Sequence, residues 1–231
     1  MPLTTLPRRV TPAEDLAGFT AAQLTDVLAA FTTILALPRA AVDRVDALVV
    51  PVGQGEEGRL RHAIRRWETN RDIGHLLVAN GNPAEETYTE ITLDYLRGLG
   101  LRRLDGVHLQ AEPAPNTGLQ AGWIAEQVDL LGLASLGLSV SAYHLPRVYL
   151  TVLKALGRRG VRVPLVPDPT PVPPGSAVPE TGASAYELLP GEAVRILSYQ
   201  QRGWVASLDE LRQYLHWLWS ERRSLLVEPP S

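Results

Sequence analysis

Five short apolar runs, each separated from the next by a stretch of helical periodicity, limit this chain to a narrow set of folds. The runs are 47–52, 75–79, 106–110, 138–142 and 161–166. The first, Ala47-Leu48-Val49-Val50-Pro51-Val52, is apolar throughout, the pattern of a strand covered on both faces. Helices are expected at 59–70, 84–99, 117–131 and 145–156. Strands that alternate with helices in this way form a parallel sheet with right-handed crossovers. The expected class is therefore α/β: a doubly wound, Rossmann-like parallel sheet of about five strands, with helical appendages at both ends.

The chain of 231 residues is long enough for one such domain with appendages and too short for two full ones. Residues 1–44 read as an arm and helices, 45–167 as the Rossmann-like core, and 168–231 as a proline-rich loop followed by helices that dock on the core. Residues 1–10 look like a loose arm. Thr11-Pro12-Ala13-Glu14 and Thr20-Ala21-Ala22-Gln23 are helix-start signals, the second opening a helix to about Leu37 with Leu24, Val27, Leu28, Phe31 and Leu35 on one face. The sheet is expected to end at Pro167, and residues 167–184 hold too many prolines for a helix or a central strand. Pro190-Gly191-Glu192 starts a helix to about Arg202. Ser207-Leu208-Asp209-Glu210 is a capping box for a last helix, with Leu208, Leu211, Leu215, Leu218 and Trp219 toward the body.

Composition removes several function classes. With no cysteine, disulfides, thiolate metal sites, iron–sulfur clusters and cysteine nucleophiles are excluded. The 22 basic and 25 acidic residues leave a net charge of −3, so no basic surplus points to nucleic acid. No run approaches a membrane span, and Arg8-Arg9 is followed by no apolar signal region; a cytoplasmic protein is expected. The five histidines are scattered without a metal-ligand spacing, and no metal site is expected. The nucleophile elbow and the P-loop are absent too.

In an open parallel sheet, ligands bind beyond the carboxyl ends of the strands, so the polar residues there are the candidates. After the first strand come Gly53, Gln54, Gly55 and Gly58, whose spacing formally matches a dinucleotide fingerprint. Glu56 and Glu57 lie inside that turn and would repel a pyrophosphate, and the second strand ends in Asn80 rather than an acid. The turn is open to three readings: geometry alone, a cradle for phosphate or carboxylate built from backbone N–H groups, or, against those two objections, NAD binding. Asn80 and Gly81 follow the second strand, and Glu112, Asn116 and Thr117 the third, with Gln120 one turn further. Asn116 and Thr117 also suit plain helix capping. Ser141, Tyr143, His144 and Arg147 follow the fourth strand. A histidine and an arginine one turn apart at a helix start supply a proton-transfer group and an anion fork.

Four blocks of sequence resemble the YdcF-like (ElyC/SanA/YdcF) family of bacterial α/β proteins over about residues 45–167. They are Leu48-Val49-Val50-Pro51-Val52-Gly53 with Arg59, then Val78-Ala79-Asn80-Gly81, then Glu112-Pro113-Ala114-Pro115-Asn116-Thr117 with Gln120-Ala121, and Val140-Ser141-Ala142-Tyr143-His144-Leu145-Pro146-Arg147. The family's acidic residue after the second strand falls on Glu86 or Glu90. The resemblance implies a site at these positions and a nucleotide-like ligand, S-adenosylmethionine among them.

Three readings follow. The first is a hydrolase or transferase for a small phosphorylated or anionic metabolite. In it His144 serves as acid/base, Arg147 and Arg59 as anion clamps, and Glu112 as a second acid/base or histidine-orienting carboxylate. The second is a binding module without turnover for a nucleotide-like ligand. The third is a scaffold whose Trp204, Trp217 and Trp219 meet a partner protein.

Overall fold

The structure, a computed structural model, describes residues 10–173 and 175–223. Five parallel strands form one sheet: β1 Ala47–Pro51, β2 His75–Ala79, β3 Val107–Leu109, β4 Leu136–Ser141 and β5 Leu165–Thr170. Their order is β3-β2-β1-β4-β5. The chain moves outward from β1 in one direction, then returns to its other side with β4. That reversal, between β1 and β4, is the switch point where a crevice opens at the carboxyl ends.

The helices are α1 Ala21–Ala36, α2 Glu57–Thr69, α3 Leu93–Gly98, α4 Thr117–Leu131, α5 Leu145–Arg158, α6 Ala185–Gln201 and α7 Leu208–Glu221. Alternate strand residues divide the core into two layers. Val49, Leu77, Leu138 and Leu165 pack with α1, α4, α5, α6 and α7 on one face. Leu48, Val50, Leu76, Val78 and Val166 pack with α2 and α3 on the other. The C-terminal helices thus share the main core through Ile196, Leu197, Leu211, Tyr214 and Leu218.

The row of β4 that faces α2 is Gly137, Ser139 and Ser141, with no apolar side chain in it. A Cβ at Gly137 would lie 2.8 Å from Val42 and 2.9 Å from Leu48, so only glycine fits. The two serines begin a polar seam under α2. Ser139 Oγ donates to Asp168, whose Oδ2 lies 3.0 Å from His62 Nε2 and whose Oδ1 pairs with Arg66 at 3.2 Å. Burial alone would raise the Asp168 carboxyl, but the His62 and Ser139 hydrogen bonds hold it below the ordinary carboxylate value.

Several sequence expectations need correction. The fifth strand lies at 165–170 instead of 161–166 and runs through Pro167 and Pro169. It is an edge strand, and Leu165 sends its N–H outward to Tyr214 Oη at 2.7 Å. Pro167 and Pro169 share that outward parity, so the sheet loses no ladder bond to either. The helix expected at 84–99 shrinks to α3, because the backbone of 81–92 is fixed in turns and Thr92 caps only the last stretch. The helix expected from Pro190 begins five residues earlier, at a Ser184/Glu187 capping box, and Pro190 lies inside it. Thr11 caps nothing: residues Ala13–Gly18 form a 3-10 helix without a side-chain cap. Leu28 and Trp219, assigned to buried faces, are 64% and 41% exposed. The arm at residues 1–10 falls, apart from Val10, outside the described residues. Among the described residues, no helix is long and apolar enough to cross a membrane.

Candidate functional site

The turn after β1 is the first wall of the crevice. Gly53, Gln54 and Gly55 all have positive φ, and for Gln54 at 58° that is a strained conformation. A Cβ on Gly55 would meet Thr87 at 2.8 Å and Pro179 at 2.9 Å, so glycine is obligatory there. The turn N–H that an anion would need is already engaged, with Gln54 N–H donating to Glu85 Oε2 at 2.6 Å.

Beneath the turn, Arg59 of α2 is fully buried. Its guanidinium pairs with Glu56 and donates to Ser141 Oγ at 3.0 Å, Tyr143 Oη at 3.4 Å and Pro51 O at 3.4 Å. Ser141 donates to Glu56 Oε1 at 2.6 Å, and Tyr143 Oη lies 2.8 Å from Glu56 Oε2 and 3.1 Å from Gln54 Oε1. Burial pushes the Tyr143 phenol up and the Arg59 guanidinium down from their ordinary values. Glu56, read from sequence as a repellent for pyrophosphate, is the internal counter-ion of Arg59.

The second strand end is tied by an amide. Gln120 of α4 donates to Val52 O and Asn80 O, both at 2.8 Å, so it locks the ends of β1 and β2 together. Asn80 Oδ1 accepts from Gly81 N–H at 2.8 Å. Asn116 caps α4, accepting from Leu119 N–H at 3.1 Å. Thr117, next along, faces α5.

On α5, Arg147 is closed on a carboxylate that the sequence reading did not place here. Its Nε and Nη2 reach Glu192 of α6 at 2.6 and 3.2 Å, Nη1 donates to Thr117 Oγ1 at 2.5 Å, and Nη2 lies 3.0 Å from His144 Nδ1. Arg195 adds a second cation to Glu192 at 3.0 Å. Burial alone would raise Glu192, but Arg147 holds it well below the carboxylate range. Burial alone would lower Arg147, and Glu192 more than offsets that.

These contacts fix the state of His144. Arginine only donates, so Nδ1 accepts and the ring proton sits on Nε2. Burial first, and Arg147 second, lower His144 to about 3 against the opposing pull of Glu192, 3.6 Å away. The imidazole is therefore neutral across physiological pH, a fixed N–H donor instead of a base poised near 7. The 3.6 Å approach to Glu192 is a dipolar contact and no ion pair.

Gly53, Gln54, Arg59, Asn116, Thr117, Gln120, His144 and Arg147 line one cleft of about 100 Å³, together with Glu85, Arg195 and Tyr199. An adjoining chamber of about 280 Å³ shares Val52, Gly53 and Glu85 with it and adds Gly55, Gly81, Glu56, Glu57, Tyr88 and Tyr95. A larger hollow of about 700 Å³ lies between the end of α2 and the loop before β3, away from the carboxyl edge. Glu112 is exposed and lines neither chamber at that edge; the carboxylate beside His144 is Glu192. Neither Glu86 nor Glu90 lines them either, and the acid that faces the turn is Glu85.

No protein-family model matches this chain, and no curated protein matches it. Among the described residues no group of three or more histidine, aspartate or glutamate side chains is placed to hold a metal ion.

The sequence reading missed Glu192 and Glu85. Glu192 carried one signal: with α6 starting at Ala185, it falls at the centre of the row Leu188–Glu192–Ile196, spaced by four. An acid within an apolar helical stripe needs a buried partner. Glu85 carried none, since its position depends on irregular turns.

Proposed function

We propose that this cleft binds a small phosphorylated or otherwise anionic metabolite and acts on it by hydrolysis or group transfer. One observation carries the reading: two buried or half-buried cations, Arg147 and Arg195, share the single carboxylate of Glu192 where α5 begins and α4 begins beside it. The charges that meet at the cleft balance, Arg59, Arg147 and Arg195 against Glu56, Glu85 and Glu192, and the two helix N-termini with the arginine forks favour an anion in the cleft once one of those carboxylates gives way. His144 supports catalysis as a neutral donor. Its Nε2–H, oriented by the Arg147 contact to Nδ1, stabilises negative charge developing on a ligand oxygen without giving up its proton. Thr117 and Glu192 position Arg147 for the same task.

The wider chamber favours a second reading. Its glutamates and tyrosines suit the hydroxyl-bearing part of a nucleotide-like ligand, in line with the YdcF-like resemblance, and a pure binder of S-adenosylmethionine type needs no turnover.

The test combines binding and turnover on purified protein. Inorganic phosphate is titrated by calorimetry, and hydrolysis of a panel of phosphate monoesters is followed from pH 5 to 8. Arg147→Lys is expected to weaken phosphate binding on the order of tenfold, because a point charge does not replace the fork. His144→Asn is expected to keep binding and lose roughly 100-fold in turnover. The pH–rate profile should show no histidine step near 6.5. Absence of any turnover, with a nucleotide-like molecule retained in native mass spectra, selects the binder reading.

A further inference from the structure

The amide that the glycine turn offers to an anion is occupied by the protein itself. Glu85 Oε2 accepts from Gln54 N–H, and both Glu85 oxygens lie 3.6 Å from where a Cβ on Gly53 would stand. Glu85 also borders both chambers. The loop that delivers it is clamped from outside by the proline-rich segment. Glu180 there accepts from Glu86 N–H at 3.1 Å, Thr87 N–H at 2.9 Å and Thr87 Oγ1 at 2.7 Å, while its own N–H donates to Gln54 O at 3.2 Å. Turn and loop are thereby fastened to each other at the point where Glu85 meets Gln54.

We propose that Glu85 is a tethered counter-anion that sets the selectivity of the cleft: its carboxylate holds the amide cradle, and an anionic ligand gains that cradle only by displacing it. This rests on the anion reading given above. The charged and titratable groups facing Glu85 are Arg59, Arg147, Arg195 and the neutral His144 across the narrow chamber, Glu56 and Glu57 in the wide one, and Glu180 behind it. Burial, and then Glu180, raise the Glu85 carboxyl, opposed by the Gln54 N–H, Arg59 and Arg147. A dianion beside it raises the carboxyl further. Displacement is accompanied by proton uptake, so anion binding tightens as pH falls.

The test uses inorganic sulfate, which remains a dianion from pH 5 to 8, titrated by calorimetry into the full chain and into Glu85→Gln. Glutamine keeps an oxygen for the Gln54 N–H and removes the charge. Glu85→Gln is expected to bind sulfate on the order of tenfold more tightly at pH 7.5 and to lose the tightening toward pH 5. Equal or weaker binding by Glu85→Gln overturns the proposal, as does sulfate binding to neither protein. In the wild-type chain, sulfate must also shift the Gln54 amide resonance; an unmoved resonance overturns the proposal whatever the variant does. Arg147→Lys separates this idea from the one it rests on. If that change weakens sulfate binding while Glu85→Gln leaves it alone, the anion site stands and the Glu85 role falls. If Glu85→Gln tightens binding while Arg147→Lys changes nothing, the Glu85 role stands and the assignment of Arg147 falls.

Discussion

Two arginine–glutamate pairs flank the end of β4, and they are built from opposite kinds of sequence proximity. Glu56 and Arg59 are three residues apart, at the turn into α2. Arg147 and Glu192 are 45 residues apart, and closing them brings α6 against α5. The first pair organises a turn; the second recruits a helix that sequence alone assigns to an appendage. Arg59 also reaches Ser141, Tyr143 and Pro51 O, and the Glu56 side chain is slightly more open than that of Glu192. Its turn has room to relax and admit water if the acid is lost, whereas Glu192 is sealed between helices.

The largest effect should come from deleting the distant half altogether. A chain ending at residue 184 lacks Glu192, Ile196, Leu197, Leu211, Tyr214 and Leu218. At about 1.5–3 kcal/mol per buried apolar side chain, the loss matches the ~5–15 kcal/mol that holds a whole domain together. Loss of the cooperative thermal transition by circular dichroism is expected; a soluble, cooperatively melting fragment would show α6 and α7 to be dispensable.

Single changes come next. Glu192→Gln leaves Arg147 buried without its counter-charge and should cost about 3–5 kcal/mol in urea unfolding. Glu56→Gln should cost less, about 1–3 kcal/mol. Equal costs would erase the distinction between the pairs.

The distant pair should also give stability a pH signature. His144 titrates at about 3 in the folded chain and near 6.5 when unfolded. The unfolded state then binds more protons between these values, so stability falls as pH drops from 6.5 toward 3, by a few kcal/mol. Glu192, held low in the folded state, adds its own loss only below about pH 4.5, where the unfolded carboxylate takes up its proton. Urea midpoints at pH 7, 6 and 5 should decline in the wild-type chain and flatten in His144→Gln; parallel declines would mean that His144 charges freely in place. Trp219→Ser, on the outward face of α7, should stay within about 0.5 kcal/mol of wild type.

The alternation of apolar runs made the sheet, its class and α4 legible, because a strand buried on both faces leaves an unbroken apolar signature. Expectation departed from structure where tertiary contacts override local pattern. Pro167 and Pro169 are tolerated because β5 has one neighbour, and the middle of 81–92 is held out of a helix where Glu180, nearly a hundred residues on, takes the N–H groups of Glu86 and Thr87. Strand ends pointed to His144, Arg147, Asn116 and Gly53, which the fold brings to one cleft. The acids were less legible: Glu112 is exposed, while Glu85 and Glu192 are assembled by turns and helix docking that periodicity does not encode.

The edges of the sheet carry a consequence for association. Another chain can extend a sheet only where an edge offers a row of free N–H and C=O groups. On β5 the outward positions include Pro167 and Pro169, which have no N–H to give, and Tyr214 takes the N–H of Leu165. On the far side β3 is only three residues long. Among the described residues, neither border of the sheet therefore offers a long row of free N–H groups to a neighbouring strand, and on β5 this protection comes from the same prolines that hid the strand in the sequence.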